Sequence, residues 1–162
     1  MNDYEIITLA RIIHILAVVI WIGGVAMVTI VLIPAIRKLT SKEDQVNTFE
    51  QIEGRFASIA KIMTLLTAIS GFYMIDKLNA WNRYLDFRYW WIHAMTLVWL
   101  IFSIILFILE PFVLHKLFKK YTENNPEATF NIMHRLHWFL LLLSLITIAG
   151  AVAGSHGWFW FK

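Results

Sequence analysis

Six histidines and no cysteine stand in a chain of 162 residues. Without a thiol, the chain has no disulfide, thiolate metal site, iron–sulfur cluster or cysteine nucleophile. A metal or haem held here takes its ligands from His, Met, carboxylate or Lys. His14, His93 and His156 fall near one end of the long apolar segments, and His115, His134 and His137 near the other. His14 is set in a wholly apolar run, about 12 Å from the start of its segment at 1.5 Å per residue. An imidazole without a partner is costly there, so it either ligates a metal or hydrogen-bonds a Ser or Thr of a neighbouring helix. Ala10, Ala17 and Gly24 recur at seven-residue spacing and leave room for a flat macrocycle, with His14 and Trp21 beside them. Arg11, one turn outward from His14, suits a carboxylate such as a haem propionate. His93 is the candidate second axial ligand of a haem b, with His156 as its substitute.

His134 and His137 lie one turn apart, a spacing that puts two ligands on one helical face. With His115 they form a candidate second site for haem, copper or zinc. They also stand among Lys116, Lys119, Lys120 and Arg135. A solvated surface facing anionic lipid is the simpler reading of that group.

The elements that must position these residues are long and apolar. Hydrophobic residues make up 59% of the chain and charged ones only 15%, with mean hydropathy +0.65. Soluble domains carry about a quarter charged residues, so an ordinary soluble enzyme is excluded. Segments 6–36, 56–78, 89–114 and 136–160 each exceed the roughly 20 residues that cross a bilayer core. The expected fold is all-α, one integral membrane four-helix bundle over residues 1–162, since helices satisfy their own backbone polar groups in lipid. The first segment lacks the basic start and cleavage site of a signal peptide.

The net charge of +3 lies beside the spans and reads as topology and lipid-headgroup contact, with no nucleic-acid partner. Arg37, Lys38, Lys42, Arg55, Lys116, Lys119, Lys120 and Arg135 stand on one side. Arg11, Lys77, Arg83, Arg88 and Lys162 stand on the other. Eight against five puts the first and third connections inside and both termini outside. Trp81, Tyr84, Tyr89, Trp90, Trp91, Trp158 and Trp160 read as an interfacial aromatic belt.

Small and polar residues mark the inward faces. Span 2 offers Lys61, Thr64, Ala68 and Gly71; span 3 offers Thr96, Ser103 and Glu110; span 4 offers His137, Ser144, Ala151 and Gly154. Glu110, followed by Pro111, is a carboxylate near the end of a span. It either serves a function, snorkels to the interface, or pairs with Lys61 or Lys116. Gly150 and Gly154 make a G-x-x-x-G, which predicts close packing within the bundle or in a homodimer.

The first span reads Ala10-Arg11-Ile12-Ile13-His14-Ile15-Leu16-Ala17, then Trp21-Ile22-Gly23-Gly24, and closes Ile33-Pro34-Ala35. This resembles the His-x6-Trp-x-Gly-Gly opening helix of the copper-resistance D-like membrane proteins. It is also similar to the first span of the HemJ-type protoporphyrinogen oxidases, four-helix proteins that hold haem b. Arg55-Phe56 and Ser70-Gly71 resemble the second helix of the same group. The resemblance implies that His14 ligates haem with Trp21 as its aromatic companion, in a multi-pass protein of the bacterial inner (cytoplasmic) membrane. The chain departs from the HemJ pattern at its end, with Gly154-Ser155-His156-Gly157-Trp158 in place of an Arg-x-x-Asn-Glu-x-Pro-like stretch. The haem-binding bundle is therefore the stronger implication, and protoporphyrinogen oxidation the weaker.

Three functions remain open from the sequence. The first is a haem b protein acting in electron transfer or oxidoreduction, with quinone, oxygen or another redox partner. The second is a copper-handling protein using the same histidines with Met27, Met63, Met74 or Met95. The third is a cofactor-free structural or assembly subunit.

Overall fold

The computed structural model describes residues 2–39, 41–114 and 126–159. His115, Lys116, Lys119, Lys120, Trp160 and Lys162 lie outside the described residues, so the proposed role of His115 does too. Four helical spans, long and apolar enough to cross a membrane, form a bundle: span 1 Asp3–Ile36, span 2 Asp44–Lys77, span 3 Phe87–Phe112 and span 4 Glu127–Ser155. No strand occurs among the described residues.

Span 1 opens on a reciprocal cap: the Asn2 side chain accepts from the Glu5 amide, and the Glu5 carboxylate from the Asn2 amide. Such a box satisfies two amide groups that the first turn leaves free. Near its other end the helix widens into a π turn, Val28–Leu32, just before Pro34. Span 3 does the same over Ile105–Leu114, around Pro111. A proline removes one backbone donor and crowds the preceding turn, and a wider turn is one way a helix accommodates it.

The second helix is longer than its apolar run. It begins at Lys42, although the apolar pattern predicts a span from 56 and a connection over 37–55. Ser41 caps it by accepting from the Asp44 amide, and Phe49 is buried edge-to-face against Phe130. Capping and one buried aromatic extend the helix where hydropathy is silent. Span 4 likewise starts at Pro126, with proline in a first-turn position that needs no N–H. It ends at Ser155, leaving Trp158 beyond the helix.

Span 1 packs chiefly on span 2, and span 3 chiefly on span 4, with sparser contact between the two pairs. The bundle is thus two hairpins set side by side. Trp21, Val25, Ala60, Val98, Phe102 and Leu141 close the middle. Val28, Ile33, Ile36, Phe49 and Phe130 close the end remote from the termini. Ile69, Leu16 and Phe139 are among the side chains left facing outward, as lipid contact requires. Gly150 and Gly154 take the indoles of Trp90 and Trp91 onto their bare backbone. The G-x-x-x-G face is therefore covered inside the bundle, and these two tryptophans are packing groups as well as belt residues.

Candidate cofactor site

In the half of the bundle near the termini, the two hairpins part around a cavity of about 720 Å³. That volume lies within the roughly 300–1,000 Å³ of small-molecule sites. Its wall is mostly apolar, and every span contributes to it.

His14 stands in this wall. Its Nδ1 lies 2.9 Å from the Thr67 carbonyl and 3.1 Å from the Ser70 hydroxyl. Ser70 uses its own proton on the Leu66 carbonyl, 2.5 Å away. Nδ1 therefore carries the hydrogen and donates it to Thr67. The ring's other nitrogen, Nε2, is left with a free lone pair. A carbonyl holding one imidazole nitrogen is what fixes tautomer and orientation in metal-ligating histidines. Gly71 leaves room for the ring, since a Cβ there would lie a tight 3.1 Å from His14 Cε1. Thr67, Ser70 and Gly71 thus form the seat of His14, which periodicity did not single out for this role. The polar and small stripe of span 2, with its Ser-Gly pair, was the available signal.

Trp21 also lines the cavity, packed edge-on against Phe102 at 4.8 Å between ring centres. Its indole N–H is buried with no hydrogen-bond partner. Gly24 does not reach the cavity. It receives the ring of Phe56, so its role is close packing of spans 1 and 2.

The arginine in the lining is Arg83, not Arg11. Arg11 is exposed, one turn before the first lining residue of span 1. Arg83 stands on a short 3-10 helix, Trp81–Leu85, with its guanidinium 5.2 Å from the ring centre of Tyr89. Beside it the hydroxyls of Tyr84 and Thr96 meet at 2.8 Å. Asp86 secures this connection by accepting from the Arg88 amide at 2.9 Å and from its guanidinium at 2.6–3.1 Å. The Arg88 side chain, then its amide, holds the Asp86 carboxyl below the ordinary carboxylate range.

Neither His93 nor His156 is among the residues that line the cavity with His14. Trp91, Ile92, Met95, Thr96, Val98 and Trp99 line the cavity from span 3, a set confined to one side of the helix. His93 is one residue further round. It lies between Tyr84, edge-on at 5.3 Å, and Phe87, near-parallel at 6.3 Å, and its Nε2 is buried without a partner. His156 is exposed past the end of span 4, its Nδ1 2.8 Å from the Val152 carbonyl and 3.3 Å from the Ser155 hydroxyl. Met74 and Met95 do share the lining with His14.

At the opposite end, His134 Nε2 lies 3.0 Å from both the Thr29 carbonyl and the Trp138 indole nitrogen. It donates to the first or accepts from the second, so that nitrogen is engaged either way. His137 donates through Nδ1 to the Met133 carbonyl at 2.9 Å. Among the described residues, no group of three or more His, Asp or Glu side chains is placed to hold a metal ion.

Comparison with family models, curated proteins and solved structures finds no match to the chain.

Proposed function

We propose that the chain is a haem b-binding integral membrane protein acting in electron transfer or oxidoreduction. One observation carries this reading: His14, its Nδ1 held by the Thr67 carbonyl, stands in the wall of an apolar cavity to which all four spans contribute. The residues present fit the group. The volume is sufficient, the walls are apolar, and Arg83 supplies a cation for a propionate. Haem, when bound, supplies one-electron redox chemistry at its iron. The chain's part is to hold the ring through His14, keep bulk water out with Trp21, Val98 and Trp99, and anchor the anionic edge at Arg83.

Met74 and Met95 share the lining with His14, so a thioether would be available as a further ligand type in the same cavity. The same His and Met set favours a second reading, copper handling, because thioethers select Cu(I). The orientation proposed for the bilayer is both termini outside, in a bacterial inner membrane, from the Lys and Arg distribution.

The test is the absorption spectrum of purified protein, expressed with ample haem precursor, before and after dithionite. Sharp α and β bands are expected on reduction. Protein free of these bands that retains stoichiometric copper overturns the haem reading in favour of copper. Protein that retains neither leaves the chain as a cofactor-free subunit.

A further inference from the structure

From the cavity wall into the bundle interior runs a set of polar groups whose hydrogen-bonding capacity the proposed site leaves unused. The Trp21 indole N–H and the hydroxyls of Thr64, Thr67 and Ser103 are buried with no hydrogen-bond partner. Thr64 is fully buried and Thr67 is 7% exposed. They come from three different helices. Observed contacts fix their heights: His14 meets Thr67, Gly24 meets Phe56, and Trp99 donates to the Thr64 carbonyl at 3.1 Å. At 1.5 Å per residue, these registers gather the four groups within about 12 Å along the bundle. One turn before Thr64 along span 2, Lys61 Nζ lies 2.6 Å from a Glu110 carboxylate oxygen, tying span 2 to span 3.

Buried hydroxyls in an apolar medium are satisfied by protein or by ordered water, and here protein supplies no partner. We infer that these groups hold a file of water between spans 1, 2 and 3, and that the file is a proton path from the Glu110–Lys61 pair to the cavity floor at Thr67 and Trp21. Each member has a chemical part. A hydroxyl accepts one proton and passes on another, so Thr64, Ser103 and Thr67 relay without net change. The indole only donates, so Trp21 anchors a water oxygen at the cavity end. Glu110 receives the proton at its open end, about a quarter exposed. Its charge also offsets that of Lys61, which would otherwise repel a passing proton. The path delivers protons to the chamber of His14, whichever cofactor that chamber holds.

The experiment uses the full chain in phosphatidylcholine–phosphatidylglycerol vesicles loaded with a pH-sensitive dye, under a potassium diffusion potential set with valinomycin. Proton flux above protein-free vesicles is expected. It should fall to that background in Thr64→Val, which keeps volume and removes the hydroxyl, and in Glu110→Gln. Ile69→Ala, on the outward face, should keep it. Wild-type flux at the protein-free level overturns the path, as does undiminished flux in Thr64→Val and Glu110→Gln. An absorption spectrum of the same vesicles reads the haem separately, so either proposal can fail while the other stands.

Discussion

Gly71 faces the imidazole of His14 so closely that a β-carbon on it would sit 3.1 Å from Cε1 and 3.3 Å from Nδ1. Span 2 therefore supplies both the space for the ring and, through Thr67, the acceptor that orients it. His14→Ala should abolish haem retention on purification, read as loss of the reduced α band. Gly71→Leu should do the same with His14 intact, because its side chain occupies the ring's seat. Full haem with an unaltered spectrum in both variants would remove His14 from the site.

For the second ligand of the proposed haem, the lining favours methionine. His93 is one residue off the cavity face of span 3, whereas Met95 is on it. Met95→Leu or Met74→Leu should convert the spectrum to high spin, while His93→Ala leaves it unchanged. A high-spin spectrum in His93→Ala alone would show that span 3 turns to present the histidine.

Arg83→Ala should weaken haem retention in detergent without moving the bands, the behaviour of a propionate partner. Arg11→Ala should retain haem as the wild type does. Dilution series followed by the reduced spectrum measure both, and the reverse pattern would hand the anchoring role to Arg11.

Glu110→Ala leaves the Lys61 ammonium without its partner between two spans. The pair is 30% and 26% exposed, so the expected loss is about 2 kcal/mol, between that of surface and fully buried pairs. Thermal unfolding in detergent reads it, and Glu110→Leu with Lys61→Met should recover much of the loss. Equal melting of wild type and Glu110→Ala would show that the pair carries no stability.

Orientation can be read by labelling, since the chain has no cysteine of its own. A cysteine at Asn82 should react with an impermeant maleimide on intact cells, and one at Lys38 only after lysis. The opposite result inverts the topology.

Hydropathy suffices for the four spans because each apolar run is long enough to cross by itself. It misses residues 42–55, whose helix rests on Ser41 and on Phe49 packing against Phe130. His14 is conspicuous in sequence because an unbroken run of apolar residues and glycine follows it as far as Val28. Its seat is not, since Thr67, Ser70 and Gly71 lie on another helix and only the register of spans 1 and 2 brings them across. Arg11 stands out by nearness along the chain. Arg83 reaches the cavity through a short connection pinned by Asp86 and Arg88, a geometry with no periodic signature. Helical phase alone separates His93 from Met95, and phase is known from sequence only as well as the span boundaries are.

The side-by-side hairpins bear on how the molecule is assembled. A hairpin of two apolar helices can leave the insertion machinery as a unit, and its partner can follow. His14 and its seat belong wholly to the first such unit, whereas Arg83 and Met95 come from the connection and from the second. The nascent chain thus owns a poised imidazole before the chamber around it exists. A ligand captured at that stage would be enclosed as the halves meet, and afterwards would brace the seam where they touch least. Loaded protein should then resist heat and detergent more than empty protein, by an amount that grows with ligand concentration.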